Sequence, residues 1–491
     1  MRPLPRLRAT WGLLRVRPSK PRWSNLRNDG RRTLAVTALL SIGLALLTGA
    51  GAAHAQGPQA DPPTRTPIKH FITLLQENHT FDNYFGTYPG AEGIPANVCM
   101  PVDPLSASDK QCVKPFHLGD QPITELGESR PIAQAQFDNG KMDGFVSALM
   151  QRNVDGRIAM GYYDGSDISY YWNLADNFVL FDRWFSSAMD GSFANHAYWV
   201  AAQPLQPSAQ GPGYADMTTI FDRLDEKGIS WKFYVQNYDP TINYRTVNQL
   251  FQNGAQNANR ESQVIWVPLL NMDRFLDDPK LMSHIVDLSQ YYQDLNDGTL
   301  PAVSYIVPSG ASEHPPGRIQ SGEKFVKQLL QELERSSSWD SSAFMLAYDD
   351  WGGWYDHVPP PQVDAYGYGF RVPCLLISPY ARKHLIDSTQ LDYTSMLKFI
   401  EENWGLQPIT SRDAQANNFL EAFDFARPPR APEFVSSVRG APEPRVPNIF
   451  LIYAFYGTAL LLAVGVIGWA LVHRRRLPPI DAEFSRGGPW V

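Results

Sequence analysis

The chain has 491 residues, 43 basic against 50 acidic side chains for a formal charge of −7, and 43% hydrophobic content. That is apolar enough to build a sizeable core and excludes a disordered polyelectrolyte. Three cysteines exclude a disulfide-dense scaffold, and the acidic balance has the wrong sign for holding nucleic acid.

In chain order, residues 1–55 read as an export signal. Ten Lys or Arg and one acid, Asp29, accompany a small-residue apolar run from Thr33 to Ala50, and Ala53-His54-Ala55 has the form of a signal-peptidase site. The Arg31-Arg32 pair before the run points to a twin-arginine signal, with an ordinary secretory signal as the alternative. Residues 56–67 form a polar linker, 68–426 a single large domain, and 427–448 a proline-rich linker. Residues 449–472 carry no charge, and a helix rising roughly 1.5 Å per residue over that length crosses a hydrocarbon layer about 30 Å thick. His473-Arg474-Arg475-Arg476 follows, so residues 473–491 are expected in the cytoplasm. The chain then reads as a single-pass cell-membrane protein with its domain on the extracytoplasmic side. The leader holds ten bases and one acid, and the tail four and two, which leaves 29 basic and 47 acidic residues between them. An anionic substrate needs local positive charge on such a surface, and a bound metal ion can supply it.

Within the domain, five apolar runs predict strands: Phe71 to Leu75, Ile229 to Val235, Ala302 to Val307, Ala343 to Ala347 and Val372 to Ile377. Helical spacing separates some of them, over Gly322 to Glu334 and Thr394 to Trp404. Unalternating strands interleaved with helices predict an α/β fold, a mostly parallel sheet covered by helices on both faces. Cys99 and Cys112 lie close together in a Pro-rich stretch and are a candidate disulfide outside the cell. Cys374 reads as a free core thiol.

The polar residues gather where the strands end. Glu77-Asn78 follow the first run, Ser312-Glu313-His314 the third and Asp349-Asp350 the fourth, the edge at which parallel α/β sheets bind ligands. Glu77, Asn78, Asp349 and Asp350 offer four oxygen donors. Carboxylates converging there repel one another unless a cation joins them, so a divalent metal is expected. Gly352-Gly353 supplies the turn that lets adjacent aspartates share one site. Ser192, after Asp190-Gly191, reads on spacing alone as a helix cap.

Several blocks are similar to those of the bacterial phosphoesterase family, which holds non-specific phospholipases C and acid phosphatases of the alkaline-phosphatase-like fold. Glu77-Asn78-His79-Thr80-Phe81-Asp82-Asn83-Tyr84-Phe85-Gly86 resembles the family's opening motif. The likeness continues in Gly140 to Phe145, Ser192 to His196, Glu313 to Pro316, Tyr348 to Val358, Ile377 to Ala381 and Thr394 to Trp404. The resemblance implies that Glu77, Asn78, Asp349 and Asp350 hold the metal and that Ser192 is the nucleophile. It implies Asn195 and His314 at the phosphoryl oxygens or leaving group, His196 and His357 as substrate contacts, and a phosphate ester, including phospholipid, as substrate. Three positions depart from the pattern. No histidine lies between Glu128 and Asp138, His196 stands where relatives carry arginine, and Asp392-Tyr393 replaces an aspartate-histidine pair. The competing reading is a catalytically silent, metal-stabilised surface module that binds phosphorylated glycans or lipids, and a complete ligand set beside a hydroxyl disfavours it.

Overall fold

The computed structural model describes residues 62–105, 111–121, 123–208, 214–247, 262–440 and 449–473. The expected export signal, the 56–61 part of the first linker, residues 441–448 of the second and the tail from 474 lie outside the described residues.

Eight strands make one sheet. They are β1 (His70–Gln76), β2 (Val179–Phe181), β3 (Trp231–Val235), β4 (Ile285–Asp287), β5 (Val303–Val307), β6 (Ser342–Tyr348), β7 (Cys374–Ile377) and β8 (Leu385–Asp387), in the order β8-β2-β7-β6-β1-β5-β3-β4. β1 runs parallel to both β5 and β6, and β3 runs parallel to β4 and β5. Every residue of β1 from Phe71 to Gln76 is buried, so both faces of this central strand are covered. Its continuous apolar run has that cause, because a strand packed on two sides has no solvent face on which to alternate.

Four helices carry the site and its supports, α1 (Phe81–Phe85), α2 (Ser192–Ala201), α3 (Ile319–Arg335) and α4 (Tyr393–Trp404), and α5 (Ile449–His473) is the last described element. α2 and α4 meet the β1 face that carries Phe71 and Thr73. The Phe71 and Phe399 rings lie 4.9 Å apart, Trp199 Nε1 donates to Thr73 Oγ1 at 3.1 Å, and Thr73 Oγ1 contacts the Met396 sulfur at 3.1 Å. α3 buries Phe325, Val326, Leu329, Leu330 and Leu333, the stripe expected from the sequence, and extends a turn beyond it at the N-terminal end.

β7 departs from a parallel reading. It pairs antiparallel with both β6 and β2, because the chain between β6 and β7 contains no helix to carry a parallel crossover. The block after β7, Ser378 to Ala381, therefore leaves at the edge opposite to Asp349. The short strands β2, β4 and β8 were not anticipated, since three residues give no periodic signal.

Cys99 and Cys112 form a disulfide, and Cys374 is free and buried. The expected second linker is not loose at its start. Arg430 N donates to Pro379 O at 3.0 Å, Trp339 Nε1 to Arg430 O at 2.9 Å, and Asn173 Nδ2 to Ser436 O at 2.8 Å. Arg439 closes this strap on Asn173 and Asp176. Prolines supply no donors, so these contacts come from residues between them, and hydrogen bonds to the domain continue as far as Arg439. Within α5, Tyr453–His473 is long and apolar enough to cross a membrane.

Gly352 has a φ of +60°, and a Cβ there would lie 2.4 Å from the Asn78 carbonyl oxygen. Replacing Gly352 with Ala is expected to destabilise the domain by roughly 1–3 kcal/mol, read from the shift of the urea midpoint.

Candidate active site

The β1–β6 register builds the site. Gln76 is paired with Tyr348, so the next residue on each strand leaves the sheet beside the other. Asp349 N donates to Gln76 O at 2.9 Å, and Asp349 Oδ1 accepts from Asn78 N at 3.1 Å and from Asp350 N at 2.7 Å. The Gln76 side chain ties in the loop after β5, accepting at Oε1 from Glu313 N at 3.1 Å and donating from Nε2 to Ala311 O at 3.2 Å. Sequence reasoning passed over Gln76, whose only signal is an amide closing an apolar strand. Asn78 turns the chain with φ at 63°, a left-handed conformation that Asn tolerates. Tyr393 donates its hydroxyl to the Asp349 carbonyl at 2.7 Å and also meets the Tyr348 carbonyl, pinning the end of β6 from α4.

Glu77, Asn78, Asp349 and Asp350 converge, all at most 1% exposed. His196 on α2 places Nε2 3.4 Å from Glu77 Oε1 and 3.6 Å from Asp349 Oδ2. Ser192 Oγ donates to Asp350 Oδ2 at 3.1 Å and lies 3.5 Å from Glu77 Oε2. Two buried oxygens of the set, Asn78 Oδ1 and Asp349 Oδ2, have no hydrogen-bond partner. Orphaned acceptors inside a carboxylate cluster are costly unless a cation completes them, so this donor set fits a divalent ion. His196 adds a nitrogen of the kind zinc accepts.

The electrostatics agree. Burial and then the Asp349 charge push Glu77 up to about 8. Burial, followed by the charges of Asp349, Glu128 and Glu77, holds Asp350 well above the usual carboxyl range. Burial works to lower His196, but the facing Asp349 and Glu77 carboxylates prevail and raise it to about 9. Asp349 goes the other way: burial works to raise it, and the contacts with His196, Ser192 and Asn78 hold it low. With no cation the cluster therefore retains protons, as like charges in a dry site must.

Ser192 opens onto a cavity of about 750 Å³ whose wall includes Glu125, Glu128, Phe193, Trp266, His314 and Arg318. His314 places Nδ1 2.7 Å from Pro315 O and Nε2 3.5 Å from Glu128 Oε2. Burial opposes its charge, yet Glu128 outweighs burial and raises His314 to about 10. The preceding residue, Glu313, is buried and accepts hydroxyls from Tyr84 and Tyr171 at 2.5 Å each and from Tyr348 at 2.7 Å. Burial raises Glu313 to about 8, and the three phenols anchor the loop that presents His314.

The phosphoesterase family profile matches residues 68–407. The chain belongs to the phosphoesterase family. Phospholipase C A of Mycobacterium tuberculosis is 30% identical over 459 residues, covering 79% of this chain and 85% of its own. Phospholipase C B of the same organism is 28% identical, covering 77% and 81%, and non-specific phospholipase C1 of Arabidopsis thaliana is 26% identical, covering 76% and 74%. Among solved structures, an alkaline phosphatase superfamily protein from Vibrio parahaemolyticus covers 72% of this chain and 69% of its own at 12% identity. Its TM-score is 0.34, which adds no weight to the assignment. The phosphoesterase is accordingly a phosphoric ester hydrolase.

Not every expected residue of this phosphoesterase stands where its assigned role needs it. Ser192 is no cap: Gly191 occupies that position, no side chain caps α2, and the serine hydroxyl turns to Asp350 instead. Asn195 is wholly buried. Its Oδ1 accepts from Ala188 N at 2.8 Å and its Nδ2 donates to Asp190 O at 2.8 Å, so the amide is spent holding the turn that carries Ser192 and does not face the cavity. His196 sits among the carboxylates, at 0% exposure, and is absent from the cavity wall. His357 belongs to a second network. Its Nδ1 lies 2.7 Å from Asp82 Oδ2, while buried Arg371 donates to Asp82 at 3.0 Å and Asp356 at 2.8 Å. This network fastens α1 to the loop after β6, with His357 outside the cavity wall, because Arg371 draws both carboxylates to itself. Arg371 itself escaped the sequence reading, lying far from either aspartate's motif.

Three measurements follow from these placements. Glu77 and His196 both have folded values above their unfolded ones, so their stabilising contribution is present at low pH and is lost as pH rises towards 8 and 9. The metal-stripped protein is expected to show a falling urea midpoint between about pH 5.5 and 8.5, and a divalent ion should flatten that slope. Arg371→Met leaves Asp82 and Asp356 buried without their cation and should cost roughly 3–5 kcal/mol. His357→Ala should leave the KM of the folded enzyme unchanged, as steady-state kinetics will tell.

Proposed function

We propose that the chain is a metal-dependent phosphodiesterase of the phospholipase C type, tethered by its C-terminal helix with the domain extracytoplasmic, and that Ser192 is its nucleophile. The observation that carries this reading is the Ser192 hydroxyl donating to Asp350 Oδ2 at 3.1 Å, beside a donor set with two orphaned oxygens.

Glu77, Asn78, Asp349 and Asp350, with His196 alongside, would hold a divalent ion, which when bound would supply positive charge for the phosphoryl oxygens and for the serine oxygen. Asp350 Oδ2, already accepting the Ser192 O–H, takes the proton as Oγ attacks phosphorus in line. The ester P–O bond breaks on the opposite side and His314, a charged imidazolium at neutral pH, gives its proton to the departing alkoxide. The phosphoserine that remains is hydrolysed by water: the now neutral His314 accepts the water's proton as its oxygen attacks phosphorus, the P–Oγ bond breaks, and the Asp350 carboxyl returns its proton to Ser192 Oγ. Asn195 acts through Ser192, fixing the turn from Ala188 to Gly191 against which the nucleophile is aimed.

The choice of a phospholipid diester is supported by the relatives, each named a phospholipase C, and by the apolar part of the cavity wall, where Phe193, Ile265, Trp266, Pro315 and Pro316 can pack the carbon of an ester. The 21-residue span Tyr453–His473 supports the tether, and the Cys99–Cys112 disulfide supports an oxidising compartment.

Full-length protein in detergent is the material for the test, with nitrophenyl phosphorylcholine as diester and nitrophenyl phosphate as monoester. Ser192→Ala is expected to lower turnover by roughly 10³-fold or more while the protein keeps its fold. Undiminished turnover removes Ser192 from the role, and faster cleavage of the monoester by the unmodified protein overturns the phospholipase reading.

A further inference from the structure

Glu128 lies in none of the roles above, yet it touches three of them. It precedes the helix Arg130–Phe137, its side chain is 24% exposed, and it lines the cavity with Ser192 and His314. Its Oε2 accepts from Asn78 Nδ2 and also faces His314 Nε2 at 3.5 Å. Its backbone carbonyl abuts Gly191, where an added Cβ would lie 2.6 Å from that oxygen, so the loop is packed directly against the turn that carries the nucleophile.

An asparagine amide presents an acceptor oxygen and a donor nitrogen of nearly equal size, and only its neighbours decide which points where. A carboxylate at one side of Asn78 admits the NH₂ group and repels the carbonyl. The result is that Oδ1 becomes the remaining face of the amide, buried and without partner, as Asp349 Oδ2 also is. Hard divalent ions take amide oxygen and refuse amide nitrogen. The same Glu128 oxygen meets His314, whose other ring nitrogen is taken by the Pro315 carbonyl, and so sets the rotation of the ring.

We infer that Glu128 is a positioning residue that orients two groups through one carboxylate, turning Asn78 into an oxygen donor for the cation and holding His314 at the leaving-group side of the cavity. The inference rests on the hydrolase reading above and is separable from it by experiment.

Full-length protein is compared with Glu128→Gln, which keeps an acceptor oxygen, and Glu128→Leu, which removes it at similar size. Mn²⁺ affinity is measured by equilibrium dialysis and by the ion-dependent rise in melting temperature, and kcat is measured on an alkyl and a nitrophenyl phosphorylcholine diester. An alkyl alkoxide needs the proton that His314 gives, whereas nitrophenolate leaves without it. Glu128→Leu is expected to weaken Mn²⁺ binding by about 10–100-fold and to lower the alkyl-to-nitrophenyl kcat ratio by about 10-fold. Glu128→Gln is expected to stay within about 3-fold of the unmodified protein in both. Wild-type ion affinity in Glu128→Leu, an unmoved leaving-group ratio, or a Glu128→Gln as impaired as the leucine variant each overturns the inference. Should Glu128→Leu not fold, Glu128→Ala removes the same acceptor from this part-exposed position and is read by the same outcomes. If the unmodified protein binds no ion and cleaves neither diester, the hydrolase reading fails instead.

Discussion

Everything at this site follows from the register in which β1 and β6 lie side by side. Gln76 against Tyr348 puts Glu77 and Asp349 at the same sheet edge, and the turn after each strand adds Asn78 and Asp350. Four oxygen-bearing side chains are thereby buried side by side. Burial first, and then the neighbouring carboxylates, raise Glu77 and Asp350. A slip of one residue between the strands would turn one aspartate away and dissolve the set, so the packing that fixes the sheet also fixes the donor set.

The surrounding residues act mainly to keep that edge from relaxing. Gly352 allows the backbone after Asp350 to pass within contact of Asn78, and Tyr393 reaches from α4 to the carbonyls of Tyr348 and Asp349. Gln76 joins the ends of β1, β5 and β6, its side chain holding the loop after β5 and its backbone carbonyl accepting from Asp349 N. Farther out, two buried networks hold the loops that flank the site. Glu313 with its three tyrosines anchors the loop of His314, and Arg371 with Asp82 and Asp356 anchors α1 to the segment after β6. Each places an ionisable group in the interior and matches it with directed partners, at a cost that apolar packing elsewhere offsets.

Much of this was readable beforehand. All five anticipated strands exist, because a strand buried on both faces must be apolar at every position, and two of the anticipated helices show their stripe at the expected residues. Glu77, Asn78, Asp349 and Asp350 could be picked because charge immediately after a buried strand has no purpose in a core. Asn195 and His357 show what a motif leaves open: it names residues that stay together in a family without saying what each side chain meets. Asn195 turned out to serve the backbone, and His357 a buried arginine fourteen residues along the chain. Glu128, Gln76 and Arg371 carry no local signal, since each owes its meaning to partners distant in sequence.

The sequence by itself determined the α/β class and the apolar C-terminal stretch, and it offered four candidate oxygen donors, because strand burial, helix length and unpaired charge are all written in local patterns. Only the tertiary structure decided which donors meet, that β7 runs against its neighbours, that His196 joins the carboxylates and that one glutamate spans Asn78 and His314. Those outcomes depend on distances between residues tens to hundreds of positions apart, and such distances are fixed by strand register and packing, which no single stretch of chain contains.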